Sequence, residues 1–299
     1  MNKNIKGEFN LIVLDSEGKV KQDTGYFDNL ILDSFLTTLQ SSATLTSFFP
    51  NAPKDIAVGT GTTAPSPTQT TLVSVVARIS GGQAGSSSYS ESGLVINGNN
   101  WSASATMTFT FGLGQVVATL SEVGFALPSV ASPNVNSRTL IVNESQVPTS
   151  VIVTAQDQLI VNYRLTISGT DTDGSGTVSL GGQNYNWISR RGTPASNPVG
   201  EMLTWNTGSS TAYAASNAVF GVAGVDPTGT SSAVNSTLIN GTIAGQRSRR
   251  VNAGINDANL SGGIKCILVG DTKFEFTPAI PKDASKILNL DVAYNFTRT

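Results

Sequence analysis

The sequence predicts an all-β protein, mainly an antiparallel β-sandwich or sandwiches, with one short N-terminal helix. Stretches such as 101–111 and 159–167 alternate apolar and polar residues with a period of two, so each can bury one face and wet the other. Clusters of Gly, Pro, Asn, Asp and Ser punctuate the chain between such stretches, as turns require. Only one segment, around 32–39, carries apolar residues at helical spacing.

The elements follow in order. Residues 9–14 and 20–27 are apolar runs divided by Asp15, Ser16, Glu17 and Gly18, which predicts a hairpin at a sheet edge. Leu32, Phe35, Leu36 and Leu39 then recur at three and four, with Asp33 where a cap belongs, so a helix covering one end of a sheet is expected. In 55–72, DIAVGTGTTAPSPTQTTL, a short strand through Ile56, Ala57 and Val58 meets Gly59 and Gly61, expected to supply the positive or tightly bent angles of a chain reversal. Pro65 and Pro67 hold an extended path until 70–72 open the next element. A phosphate cradle is excluded there, because Thr62, Thr63 and the prolines leave no helix start after the glycines.

In 101–111, Trp101, Ala103, Ala105, Met107, Phe109 and Phe111 share one face, a half-buried strand. Residues 116–127 are apolar on both faces and read as central, with Glu122 their one charge. A partner arginine is the expected reason for that carboxylate, since no second acid or histidine lies nearby in sequence to support catalysis. Residues 148–158 read as a strand and tight turn. They lead into 159–167, where Leu159, Val161, Tyr163, Leu165 and Ile167 face in and Asn162, Arg164 and Thr166 face out. Residues 177–188 read as a hairpin bending at Gly181 and Gly182.

The C-terminal end repeats this plan, 278–286 leading into inward Leu288, Leu290, Val292, Tyr294 and Phe296, and a weaker echo links 58–72 with 225–238. Two related β units are therefore expected, 1–170 and 171–299, the second with a long polar insertion at about 192–261. That insertion scatters Trp205, Tyr213 and Phe220 among Gly, Ser, Thr and Asn, and ends in a basic run, Arg247, Arg249 and Arg250. These six residues are the candidate assembly or ligand surface.

Composition narrows the chemistry. Charged residues are only 13% of the 299, and such a surface hydrogen-bonds but repels weakly, which suits packing against copies or neighbours. The net charge of -2 argues against nucleic acid as a partner, and the short basic run reads as a salt-bridging patch. No histidine is present, which removes Ser-His-Asp and Cys-His catalysis and His-based zinc sites. The single cysteine, Cys266, makes neither a disulfide nor a metal cluster. Asp171, Asp173 and Gly174 open like a calcium loop, but Gly182 stands where the bidentate glutamate belongs, so a turn is expected. No metal, no cofactor and no enzymatic activity are expected. Residues 1–8 lack the apolar stretch of a signal peptide and no run is long enough to cross a membrane, so synthesis in a cytoplasm without membrane insertion is expected.

The run Val58-Gly59-Thr60-Gly61-Thr62, a following proline and the Thr71-Leu72 pair resemble a segment of tail, collar and other structural proteins of tailed bacteriophages. The resemblance extends over most of the chain. It takes in the N-terminal hairpin with Asn29-Leu30-Ile31-Leu32-Asp33, then Ser121-Glu122-Val123-Gly124-Phe125, the Tyr163 strand, GTVSLGGQNYNW and the ending FTPAIPKDASKILNLDVAYNFTR. Residues 192–261 depart from it. The resemblance implies a virion component of tail, collar or baseplate, working by multi-copy assembly with itself and other virion proteins and without catalytic residues. The alternative is an adhesin or tail-fibre protein meeting host-surface glycan or receptor, with Trp187, Trp205 and Tyr213 as a sugar-stacking platform. A glycosidase ranks below both, because no pair of acids is evident.

Overall fold

A computed structural model describes residues 2–41, 54–80, 87–127, 133–143, 145–170, 174–191, 217–220, 231–239, 245–269 and 272–299. The chain is all-β with one short helix. Strands β1 (Asn2–Leu14), β2 (Val20–Asp23), β3 (Phe27–Asp28) and β4 (Leu30–Ile31) precede helix α1 (Asp33–Ser41). Next come β5 (Asp55–Gly59), β6 (Val75–Ser80), β7 (Ser87–Glu91), β8 (Val95–Asn97), β9 (Asn100–Phe111), β10 (Ala118–Leu120) and β11 (Glu122–Ala126). They are followed by β12 (Ser137–Leu140), β13 (Val151–Val153), β14 (Gln158–Thr170), β15 (Gly174–Leu180) and β16 (Gln183–Arg191). The chain ends with β17 (Asn217–Phe220), β18 (Ser231–Ala233), β19 (Asn235–Ile239), β20 (Gln246–Ala253), β21 (Ile264–Val269), β22 (Thr272–Ile280) and β23 (Leu288–Arg298).

A ten-stranded sheet runs β19-β20-β23-β1-β14-β9-β7, with β2 and β3 added to β1 and β8 to β9. A five-stranded sheet, β4-β12-β11-β5-β6, faces part of it. A six-stranded sheet, β15-β16-β22-β21-β17-β18, and the pair β10-β13 complete the fold. Period-two patterning sets the centre of the large sheet: Phe9, Tyr163 and Met107 lie opposite one another on β1, β14 and β9, and so do Leu11, Val161 and Phe109, all buried. On the other face small polar residues satisfy each other across strands. Ser104 and Thr166 hydroxyls stand 2.8 Å apart, Thr108 donates to Asn162 Oδ1 at 2.7 Å, and Asn162 donates to Asn10 Oδ1 at 2.8 Å.

The ten- and five-stranded sheets meet where the Phe125 ring stacks on Tyr163 at 4.1 Å. Each such aromatic, fully buried, contributes roughly 1.5–3 kcal/mol of apolar transfer. The Tyr163 hydroxyl is enclosed with it, and burial pushes its pKa up to about 12. Helix α1 buries Phe35, Leu36 and Leu39, the residues its spacing selects, and Asp33 at its start pairs with Arg298 of the last strand.

Several expectations change. The N-terminal hairpin forms, but β1 is not an edge: β14 pairs along its whole length on one side, while β23, β3 and β2 share the other. Residues 116–127 are two strands rather than one, because the chain leaves the β13 partner at Ser121 and joins the five-stranded sheet. Strand β6 starts at Val75, beyond the expected 70–72, although Leu72 is buried. Strand pairing also crosses the expected division at 170/171, since β23 lies parallel beside β1. Within the polar insertion, β19 and β20 extend the large sheet and β20 buries alternate residues, so this part belongs to the core. The 177–188 hairpin bends as expected, with Gly181 and Gly182 both at positive φ. Asp171 and Asp173 lie outside the described residues.

Candidate functional site

The Gly59–Gly61 loop and Glu122 form one site. Gly59 lies opposite Glu122 in the β5–β11 pair, and Arg138 on β12 is the diagonal neighbour of Glu122 on the same sheet face. Both side chains are fully buried and form an ion pair, Arg138 Nη2 to Glu122 Oε2 at 2.8 Å. Arg138 is thus the partner expected for this carboxylate.

The pair organises the loop between β5 and β6. Glu122 Oε1 accepts the backbone N–H groups of Gly61 at 3.0 Å and Ser74 at 2.7 Å. Its Oε2 accepts Val73 N–H at 3.0 Å and Arg138 Nε at 3.0 Å. Arg138 then reaches into the same loop, donating to Gln69 Oε1 at 2.5 Å and to the Thr63 carbonyl at 2.8 Å. Every lone-pair direction of the carboxylate is thereby engaged within the protein. What this arrangement does is hold a loop.

The glycines act by absence of bulk. Neither Gly59 nor Gly61 is among the residues at positive φ, so the positive-angle alternative of the expectation does not hold. A Cβ on Gly59 would lie 2.3 Å from the Ser74 carbonyl oxygen, and one on Gly61 would lie 2.3 Å from Glu122 Oε1. Close approach of backbone to carboxylate is therefore the requirement. The latched loop ends at Val73, 53% exposed, and leads into Val75 and Val76, 45% and 39% exposed, which open β6, the last strand of its sheet among the described residues.

The other candidate residues are dispersed. Trp205 and Tyr213 lie outside the described residues, and Phe220 ends β17 opposite Ser231 and Cys266. The basic run is split by strand alternation. Arg247 and Arg249 are buried on the inner face of β20, Arg247 donating to the Leu39 carbonyl of α1 at 2.5 Å. Arg250 faces out and binds Asp291 through two bonds of 2.7 and 2.8 Å, the salt bridge its sequence context suggested. Trp187 is half-buried and edge-on to Phe274, their centroids 6.1 Å apart, and its indole crosses Gly176 so closely that a Cβ there would sit 2.8 Å from the ring. Cys266 is buried, and that burial pushes its thiol up to about 12. No helix among the described residues is long and apolar enough to cross a membrane.

Sequence reasoning missed Lys282. It is buried although it sits in a Pro-Lys-Asp turn, and only its spatial neighbours reveal this. No family model matches the chain, and neither a curated protein nor a solved structure is similar to it.

Proposed function

We propose that this chain is a structural component of a bacteriophage particle, of tail, collar or baseplate, acting by assembly of several copies with one another and with other virion proteins. The observation that supports it best is the apolar projection of Val73, Val75 and Val76, held rigid by the buried Glu122–Arg138 pair. An edge strand bearing uncharged aliphatic residues on a fixed loop suits docking against a neighbouring chain. That loop carries the residues that resemble phage proteins. The adhesin reading has less support, because the Trp187 ring is already covered by Gly176 and Phe274.

Light scattering across a concentration series tests the assembly part. A mass that is a multiple of 31.0 kDa is expected, falling toward one chain in Val75→Asp and Val76→Asp, whose exposed positions leave the fold intact. A single-chain mass at all concentrations, together with absence of the chain from purified virions by microscopy and mass spectrometry, overturns the reading.

A further inference from the structure

The tip of the β15–β16 hairpin and the connection between β22 and β23 enclose a cleft of about 620 Å³. Its volume suits a small ligand or a few residues of peptide. Leu180, Tyr185, Ile280 and Ile287 supply apolar wall, and among the described residues Lys282 and Lys286 are its charged lining and no Asp or Glu lines it. The two lysines differ. Lys286 is exposed and its ammonium is met by the Asp283 carboxylate at 2.9 Å. That carboxylate is otherwise occupied by Ser285, through its backbone N–H and its hydroxyl.

Lys282 is only 5% exposed, yet its ammonium meets two neutral acceptors, Asn259 Oδ1 at 2.9 Å and the Asp283 backbone carbonyl at 3.1 Å. An ammonium carries three donors, so one remains, and no carboxylate among the described residues pairs with it. The buried Lys273 shows the contrasting solution, with Glu275 at 3.0 Å. A buried cation without a counter-ion is costly, and an anion entering from outside would relieve that cost. Beside it stands Ile287, 65% exposed, the most exposed large hydrophobic residue among those described.

We propose that this cleft binds a carboxylate carried on an aliphatic body, the acid pairing with Lys282 and the body lying against Leu180, Ile280 and Ile287. Two sources share that chemistry: a free aliphatic acid, or a glutamate flanked by aliphatic residues on a neighbouring polypeptide. The site is independent of the assembly reading.

Calorimetric titration of the full chain with hexanoate, and separately with the blocked peptide valyl-glutamyl-valine amide, tests it, with hexanamide and hexylamine as neutral and cationic controls. Saturable binding of at least one acid is expected, with hexanamide at least about tenfold weaker. Lys282→Met should weaken the acid by at least about tenfold. Because that substitution alters a buried position, Ile287→Asp provides a second test at an exposed rim. It should weaken the acid while leaving the melting temperature unchanged. Binding of hexanoate alone assigns the site to free acids, and binding of the peptide alone assigns it to a neighbouring chain. The proposal is overturned if neither acid binds, if hexanamide binds equally well, or if neither substitution weakens binding.

Discussion

Glu122 and Lys282 are both charged groups removed from water, and the fold treats them in opposite ways. Glu122 is closed: an arginine and three backbone N–H groups surround it, and the loop that supplies them exists in this shape because the carboxylate is there. Lys282 is open: its two hydrogen-bond acceptors are neutral, and the residue lines a cleft. The difference teaches what each buried charge is for. A fully compensated charge specifies local structure, whereas one left partly uncompensated beside a cavity is suited to recognition.

Removing the cation from each centre is the largest test of this comparison. Arg138→Met strands the Glu122 carboxylate in the core and should destabilise by about 3–5 kcal/mol in a denaturant titration. Lys282→Met leaves no carboxylate behind and should lower stability by about 1 kcal/mol or less. Equal losses would show that the two centres are alike and break the comparison.

The glycines of the two regions offer a smaller contrast. Gly61→Ala places a methyl against Glu122 and Val73 and should lower stability by about 1–3 kcal/mol through overpacking. Gly181, at the cleft rim, has open space around it but a φ of 59°, so Gly181→Ala should lose roughly 1–2 kcal/mol and Gly181→Asn much less. If Asn restored Gly61 as well as it restores Gly181, close approach would not be the reason for the glycine at 61.

The smallest effect concerns a third charge, a buried carboxylate held by a surface lysine. Asp157 is held down to about 2 by the hydrogen bond from Lys21, with further bonds from the Thr154 backbone and hydroxyl. Its folded pKa lies below the unfolded value of about 3.9, so its contribution is complete above that value and is lost as pH falls toward 2. Melting temperatures measured across pH 5 to 2 should fall less steeply in Asp157→Asn than in the unaltered chain. An unchanged slope would leave the Lys21 pair without a role in acid stability.

Part of this arrangement is legible in the sequence. The alternation in β9, β14 and β23 identified Val161 and Val292 as buried, and both are. The need of Glu122 for an arginine followed from its apolar surroundings, but which arginine depended on strand register, since Arg138 is brought alongside by β12 pairing with β11. The split of Arg247, Arg249 and Arg250 followed a period of two that reads as a basic run when the residues are taken as a surface patch. Lys282 gave no sign, because the walls that bury it come from the β15–β16 hairpin and from Ile280, Ile287 and Asn259.

By itself, the sequence determined the all-β class, the inward faces of the long strands, the Gly181-Gly182 bend and the single helix, because side-chain alternation and turn preference are local properties of the backbone. Only the tertiary structure decided that β1 is interior, that the last strand closes beside the first, and that Gly61 is required by a carboxylate rather than by an angle. Those outcomes depend on which distant segments meet and in what register. That is set by the summed burial of many side chains, and no single stretch of sequence carries it.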